Sequence, residues 1–197
     1  MQTASTADSA NVRPEGDRKF SSGNLILVGM MGSGKTTMAR TLAKHLGMDF
    51  IDSDEEIQKR TGVTIPHIFD VEGEAGFRQR ETLALRDLLA GDNHVLATGG
   101  GAVLAEQNRE MLRQNGIVIY LKASVHDLWQ RTRHDRNRPL LQTDDPHAIL
   151  TELFQQRDPL YLEVADIVVR SGRQSAQALM LQLVEEIDRF RENARRA

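Results

Sequence analysis

At 197 residues the chain can hold one α/β domain with a full core, but not two domains of ordinary size. A formal charge of −3 argues against a protein that coats nucleic acid, and the lack of any cysteine excludes disulfides, thiol nucleophiles and thiolate metal sites. With no apolar run near the ~20 residues that span a bilayer, and no apolar N-terminal segment of signal-peptide kind, a cytoplasmic location is expected.

Residues 1–23 are rich in Ser, Thr, Ala, Gly and charge, so burial cannot repay the entropy of ordering them, and a tail is expected there. From Asn24 onward, short aliphatic runs alternate with longer amphipathic stretches, the pattern of β-α units around a parallel sheet. The first run, Leu25–Val28, is followed by Met38, Leu42 and Leu46 at four-residue spacing with Ala39 and Ala43 beside them. That spacing predicts a helix, and Gly47 stands where its C-terminus needs left-handed backbone. Further strands are predicted at Asp49–Ile51, Val95–Ala97, Ile117–Leu121 and Ile167–Val169, each short and aliphatic as buried parallel strands are. A last helix follows Ser175 as N-cap, with Leu179, Met180, Leu183, Val184 and Ile187 as its core stripe.

Between the first strand and the first helix lies Gly29-Met30-Met31-Gly32-Ser33-Gly34-Lys35-Thr36, which fits G-x-x-x-x-G-K-[ST] at every fixed position. Its glycines let successive backbone N–H groups face inward, and the following helix adds its N-terminal dipole, so the loop suits a polyphosphate. Lys35 brings a full positive charge. Thr36 offers a hydroxyl oxygen to Mg²⁺, and Thr37 can reach the α-phosphate. Average residue frequencies make a chance match about 1% or less in a chain this long, and the strand-loop-helix context lowers it further.

A phosphate loop implies a nucleotide, not a reaction, so the acceptor is sought elsewhere. The second strand runs into Asp52-Ser53-Asp54 at the carboxyl edge of the sheet, where open α/β folds bind ligands. If both remain strand-like they share a face, one assisting Mg²⁺ and the other meeting an acceptor hydroxyl; the competing reading is an acidic loop that caps the next helix. The third strand runs into Gly99-Gly100-Gly101, suggesting either backbone held close to a ligand or a flexible turn. Phe77-Arg78, Arg138-Pro139-Leu140-Leu141 and Arg157-Asp158-Pro159-Leu160-Tyr161 each set an arginine beside rigid or apolar neighbours.

Taken together, GMMGSGKT, DSD, GEAGFR, TGGGAV, RPLL and RDPLY stand in the order and spacing of the shikimate kinase family, which the chain resembles from Asn24 to about Phe190. The resemblance implies a P-loop three-layer sandwich: a five-stranded parallel sheet in the order 2-3-1-4-5, an acceptor-binding helical region and a lid. It implies ATP as co-substrate, bound by Gly32, Ser33, Gly34, Lys35, Thr36 and Thr37, with Mg²⁺ on Thr36 and on Asp52 through water. It also implies that Asp54 holds the shikimate hydroxyls and acts as base, while Arg78, Arg157 and the Gly100 backbone hold the substrate. The lid would run from Arg131 to Leu141, with Arg138 on ATP phosphate and acting in catalysis alongside Lys35 and Asp54, and Arg131 near the adenine. Gln174 would lie beside the base. Residues 24–190 would form the domain and 191–197 a tail, and a monomer is expected.

Two features depart from generic P-loop proteins. The strand ending before Thr98 carries no terminal Asp, so Asp52 must support the metal, and Asp70-Val71-Glu72-Gly73 matches D-x-x-G without following a strand and is read as chance. The nearest rival enzyme is another small-metabolite kinase such as a gluconate kinase. A nucleotide-dependent switch would carry an N-K-x-D segment, which is absent, and the six dispersed histidines lack H-x-H or H-E-x-x-H spacing for a transition metal.

Overall fold

The computed structural model describes residues 23–134, 139–172 and 174–196. All of the expected N-terminal tail except Gly23 lies outside that set, as do Arg136 and Arg138 of the expected lid. The described chain runs β1 (Leu25–Val28), α1 (Lys35–Leu46), β2 (Asp49–Asp52), α2 (Ser53–Thr61), α3 (Ile65–Leu89), β3 (His94–Ala97) and α4 (Glu106–Gln114). It continues through β4 (Ile117–Lys122), α5 (Val125–Thr132), a 3₁₀ turn (Pro139–Leu141), α6 (Pro146–Val164), β5 (Ile167–Arg170) and α7 (Ala176–Arg196). Among the described residues the strands form one parallel sheet in the order β2-β3-β1-β4-β5, the implied order.

Side chains of a strand alternate between faces, and β1 divides its residues accordingly. Leu25 and Leu27 face Met38 and Leu42 of α1 and Leu179, Leu183 and Ile187 of α7. Ile26 and Val28 face the opposite layer, with Leu85 of α3, Leu112 of α4, Leu128 of α5 and Leu150 and Tyr161 of α6. Every residue of β1 is fully buried, so truncating any one of its aliphatic side chains removes transfer free energy and leaves a cavity, at about 2–5 kcal/mol for a leucine. Gly47 closes α1 in left-handed backbone, its N–H bonded to the Ala43 carbonyl, and Ser175 caps α7 through Ala178 N–H at 3.1 Å.

Three of the sequence readings meet the structure here. Helix α7 continues through residues 191–196, set aside as a tail, because Arg189 with Glu185 and Glu186 and Arg196 with Glu192 supply pairs at helical spacing where apolar residues run out. The stretch 65–89 is two helical segments that meet at the non-helical Gly73 (φ 70°, ψ −178°), so the D-x-x-G match of Asp70–Gly73 ends at the kink between helices and follows no strand, in keeping with its reading as chance. Arg80 spans that bend with two hydrogen bonds to Glu72, 2.7 and 2.6 Å. The third, the disposition of Asp52 and Asp54, belongs to the site.

Candidate active site

The carboxyl ends of β1, β2 and β3 open onto one cavity of about 550 Å³. Its floor is the loop between β1 and α1. Gly34, the N-cap of α1, sits at φ 94° and provides no side-chain cap, so the first N–H groups of the helix are left for an anion. Lys35 is buried, and its Nζ donates to the Gly29 and Met30 carbonyls at 2.9 and 3.0 Å, holding the charge within the loop. Ser33 accepts from Ser171 Oγ at its carbonyl, and its own Oγ is buried without a partner in the structure, beside the anion cradle. Thr37 is exposed in the first turn of α1.

Thr36 Oγ1 donates to Asp52 Oδ2 at 2.8 Å. The other oxygen of Asp52 accepts from the N–H groups of Asp54 (2.9 Å) and Glu55 (3.4 Å), making Asp52 the N-cap of α2. The condition for Asp52 and Asp54 to share a strand face is therefore not met, and the competing reading, capping of the next helix, describes Asp52: an aspartate here ends strand geometry by satisfying helix donors, and alternation stops with it. Asp54 instead lies in the first turn of α2 and lines the cavity.

The three glycines after β3 are a held structure. Gly99 N–H donates to Ser53 Oγ at 2.9 Å, Thr98 bonds the Leu27 carbonyl through both N–H and Oγ1 at 3.1 Å, and Asn108 and Arg109 of α4 hold the carbonyls of Ala102, Val103 and Leu104. The absence of side chains here serves close approach. A Cβ at Gly99 would stand 2.6 Å from Glu81 Oε1 and 2.7 Å from an Asp54 oxygen, and one at Gly101 would fall on the Arg78 guanidinium.

Two arginines face this loop. Arg78 donates to Glu81 at 2.7 Å and to Glu74 at 3.0 Å; burial pulls its pKa down, but these carboxylates outweigh burial and leave it raised. Arg157 is 2% exposed, and no carboxylate is hydrogen-bonded to it among the described residues. Burial lowers its pKa, its neighbour Tyr161 partly offsets this, and its Nε has no partner in the structure. A desolvated guanidinium in a cavity wall is suited to pairing with an anionic group.

Glu81 is fully buried, one oxygen on Arg78 and the other without a partner in the structure, and burial drives its pKa up despite Arg78 and Arg157. A carboxyl whose folded pKa is raised binds its proton more tightly folded than unfolded, so its contribution is most favourable below the unfolded pKa and is lost as pH rises through the folded one. Glu81→Gln should therefore gain thermal stability relative to the parent as pH is raised from 4 to 8, read by paired unfolding scans. A difference moving the other way would mean that the Arg78 pair outweighs burial.

Of the residues implied for the nucleotide, Arg131 does not extend into a loop: it lies in α5 and donates to the carbonyls of Gly32 (3.2 Å), Ser171 (3.2 Å) and Gly172 (2.8 Å), bracing the phosphate loop against the segment after β5. Gln174 is exposed in that segment and bonds Arg170 and Gln182, facing α7 and absent from the cavity lining. Arg138 lies outside the described residues, while Pro139 and Leu140 beside it line the cavity.

The family model for shikimate kinase matches residues 31–188 of the chain. This protein belongs to the shikimate kinase family. The shikimate kinase of Nitrosospira multiformis is 56% identical over 187 residues, covering 95% of this chain and 96% of that one, and that of Thiobacillus denitrificans is 58% identical over 84% and 90%. A solved shikimate kinase from Acinetobacter baumannii, in complex with shikimate, superposes with a TM-score of 0.83 at 48% identity, covering 88% of this chain and 97% of that one. A gluconokinase from Sinorhizobium meliloti reaches a TM-score of 0.56 at 18% identity over 90% and 97%, which shows the shared fold alone. In this member of the shikimate kinase family, Glu81 is a site residue that the motifs do not expose; its only sequence signal is the i,i+3 spacing to Arg78 on a helix.

Proposed function

We propose that the chain transfers the γ-phosphoryl group of ATP to the 3-hydroxyl of shikimate, releasing shikimate 3-phosphate and ADP. The observation that carries this reading is Arg157: a buried guanidinium to which no carboxylate is hydrogen-bonded among the described residues, in the same cavity wall as Arg78, the Gly99–Gly101 loop, Asp54 and Thr36. Its match is a small substrate bearing a carboxylate at one end and hydroxyls at the other. The A. baumannii relative's complex with shikimate supports the choice of acceptor.

In this reading Arg157 and Arg78 take the carboxylate, the Gly100 backbone contacts the acceptor, and Asp54 takes the proton of the 3-hydroxyl as its oxygen attacks the γ-phosphorus. The bond from that phosphorus to the bridging oxygen breaks, and ADP leaves with the oxygen. Since phosphoryl transfer asks the protein mainly for alignment and charge neutralisation, rigid placement of acceptor and phosphates is the chief contribution. Lys35 exchanges its loop carbonyls for phosphate oxygens, and the open N–H groups of α1 with Gly32, Ser33 and Gly34 hold the rest of the polyphosphate. Arg138 retains its assignment to ATP phosphate, Arg131 and Gln174 theirs to the adenine side, and Thr37 its own to the α-phosphate.

Thr36 Oγ1 and Asp52 Oδ2 are hard oxygen donors 2.8 Å apart beside the phosphate loop, and they fit Mg²⁺. No group of three or more His, Cys, Asp or Glu converges among the described residues, so phosphate and water oxygens would complete the shell. When bound, the ion neutralises charge on the β- and γ-phosphates. Among the described residues no helix is long and apolar enough to cross a membrane; the reading takes the enzyme as a cytoplasmic monomer.

The test is ADP release with Mg-ATP and each of shikimate, gluconate and a nucleoside monophosphate. Turnover is expected with shikimate alone. Equal or faster turnover with gluconate would overturn the acceptor assignment and leave the nucleotide site intact.

A further inference from the structure

The Arg157-Asp158-Pro159-Leu160-Tyr161 motif contributes Arg157 to the proposed site, which leaves Asp158, Pro159 and Tyr161 unexplained. Proline inside a helix has no N–H to give and crowds the carbonyl four residues earlier, so α6 is weakened at Pro159, two positions from the arginine whose placement matters most. Side chains make good that weakness. Asp158 accepts from Tyr120 Oη at 2.7 Å and from Lys122 Nζ at 2.8 Å, pinning α6 to the end of β4. The Tyr120 and Tyr161 rings then pack with centroids 4.9 Å apart and an interplanar angle of 32°. Tyr161 is fully buried; its hydroxyl neighbours the Arg157 guanidinium, donates to the Gly100 carbonyl and lies 3.7 Å from Met30 Sδ in the phosphate loop.

We infer that Tyr161 is a positioning residue for acceptor binding, fixing the Arg157 guanidinium and the Gly100 backbone as one unit, with Tyr120 and Asp158 holding Tyr161 in place. This rests on the proposed reading of Arg157 as the carboxylate site. The hydroxyl stands beside the guanidinium and gives its proton to the backbone of the glycine loop, so the carboxylate end and the backbone contact of the acceptor site keep a fixed separation. Burial raises the phenol's pKa far above the working range, so the hydroxyl keeps the proton that bonds Gly100.

Tyr161→Phe retains the ring and removes only the hydroxyl. A hydrogen bond to a neutral carbonyl is worth a factor of roughly five, so KM for shikimate should rise about fivefold, with kcat changed less and KM for ATP within twofold of the parent. The rise should shrink to less than twofold for a shikimate analogue whose carboxylate is a neutral amide. In the ligand-free protein, nitrogen-15 NMR should find the Arg157 guanidinium hydrogens exchanging faster with water in the variant. Unchanged KM with a lowered Tm, or equal losses for shikimate and the amide, would overturn the inference and leave Tyr161 a packing residue. If Tyr161→Phe does not fold, Tyr120→Phe carries the test, since it keeps both rings and releases Asp158; the same split, at two- to fivefold, is expected, and its absence counts against the inference. Failure of the acceptor assignment is separately visible, because the parent enzyme would then not turn over shikimate, whereas the guanidinium exchange readout needs no substrate.

Discussion

Replacing Asp54 by asparagine is expected to lower kcat by about 10² or more while KM for shikimate changes only several-fold, since acid-base terms are of that size and the amide still hydrogen-bonds a hydroxyl. The placement of Asp54 makes the substitution clean. It is the second residue of a helix capped by Asp52, its backbone N–H is bound by that cap, and neither bond depends on its own charge. The variant should therefore keep the Asp52 cap of α2 while losing turnover. A kcat near the parent value would reduce Asp54 to holding the acceptor in line.

Lys35→Met should produce two separable losses. The ammonium is expected to act on phosphate oxygens in the transition state, and removing one such donor costs about 10² to 10³ in kcat. The ligand-free structure adds a stability cost. Lys35 Nζ bonds two carbonyls of its own loop, Gly29 and Met30; the Met30 carbonyl keeps the Ser33 N–H, but the methionine leaves the Gly29 carbonyl without that donor, at about 1–3 kcal/mol if water does not replace it. Stopped-flow turnover at saturating ATP and thermal unfolding without ligand measure the two effects. A kcat within tenfold of the parent would remove Lys35 from the chemistry, and an unchanged Tm would mean that water fills its place on the loop.

What the sequence made legible is what local chemistry dictates. The phosphate loop is spelled by residues 29–36 alone, and the four-residue spacing of Met38, Leu42 and Leu46 specifies α1 because one buried face suffices. The strand order follows from the family resemblance and is the observed one. The disposition of Asp52 and Asp54 was not legible by alternation, because it turns on a competition between strand register and helix capping that the backbone decides. Helix α7 beyond Phe190 was hidden by its lack of apolar residues, for its last turns are charge-paired and solvent-facing. Glu81 was the least legible: a glutamate on a long helix ordinarily faces water, and only the fold, by bringing Gly99 against it, makes it buried. Tyr161 stood in a visible motif, but its hydroxyl partners come from segments sixty and more residues away.

The double attachment of Asp52 bears on how this enzyme can change over generations. One oxygen of its carboxylate accepts from Thr36, in the first turn after the glycine-rich loop and on the proposed nucleotide side, and the other starts the helix that carries Asp54. Most positions let a lineage trade affinity for one substrate against the other by small independent steps. Here a single substitution alters both halves at once, and Asn, the nearest residue by shape, can reproduce the helix cap but not the negative charge. Drift toward a different acceptor is thus steered away from Asp52 and toward residues with one allegiance, such as Ile65, Pro66 and Phe69 on the far cavity wall, where a new hydroxyl pattern can be accommodated without disturbing the ATP side.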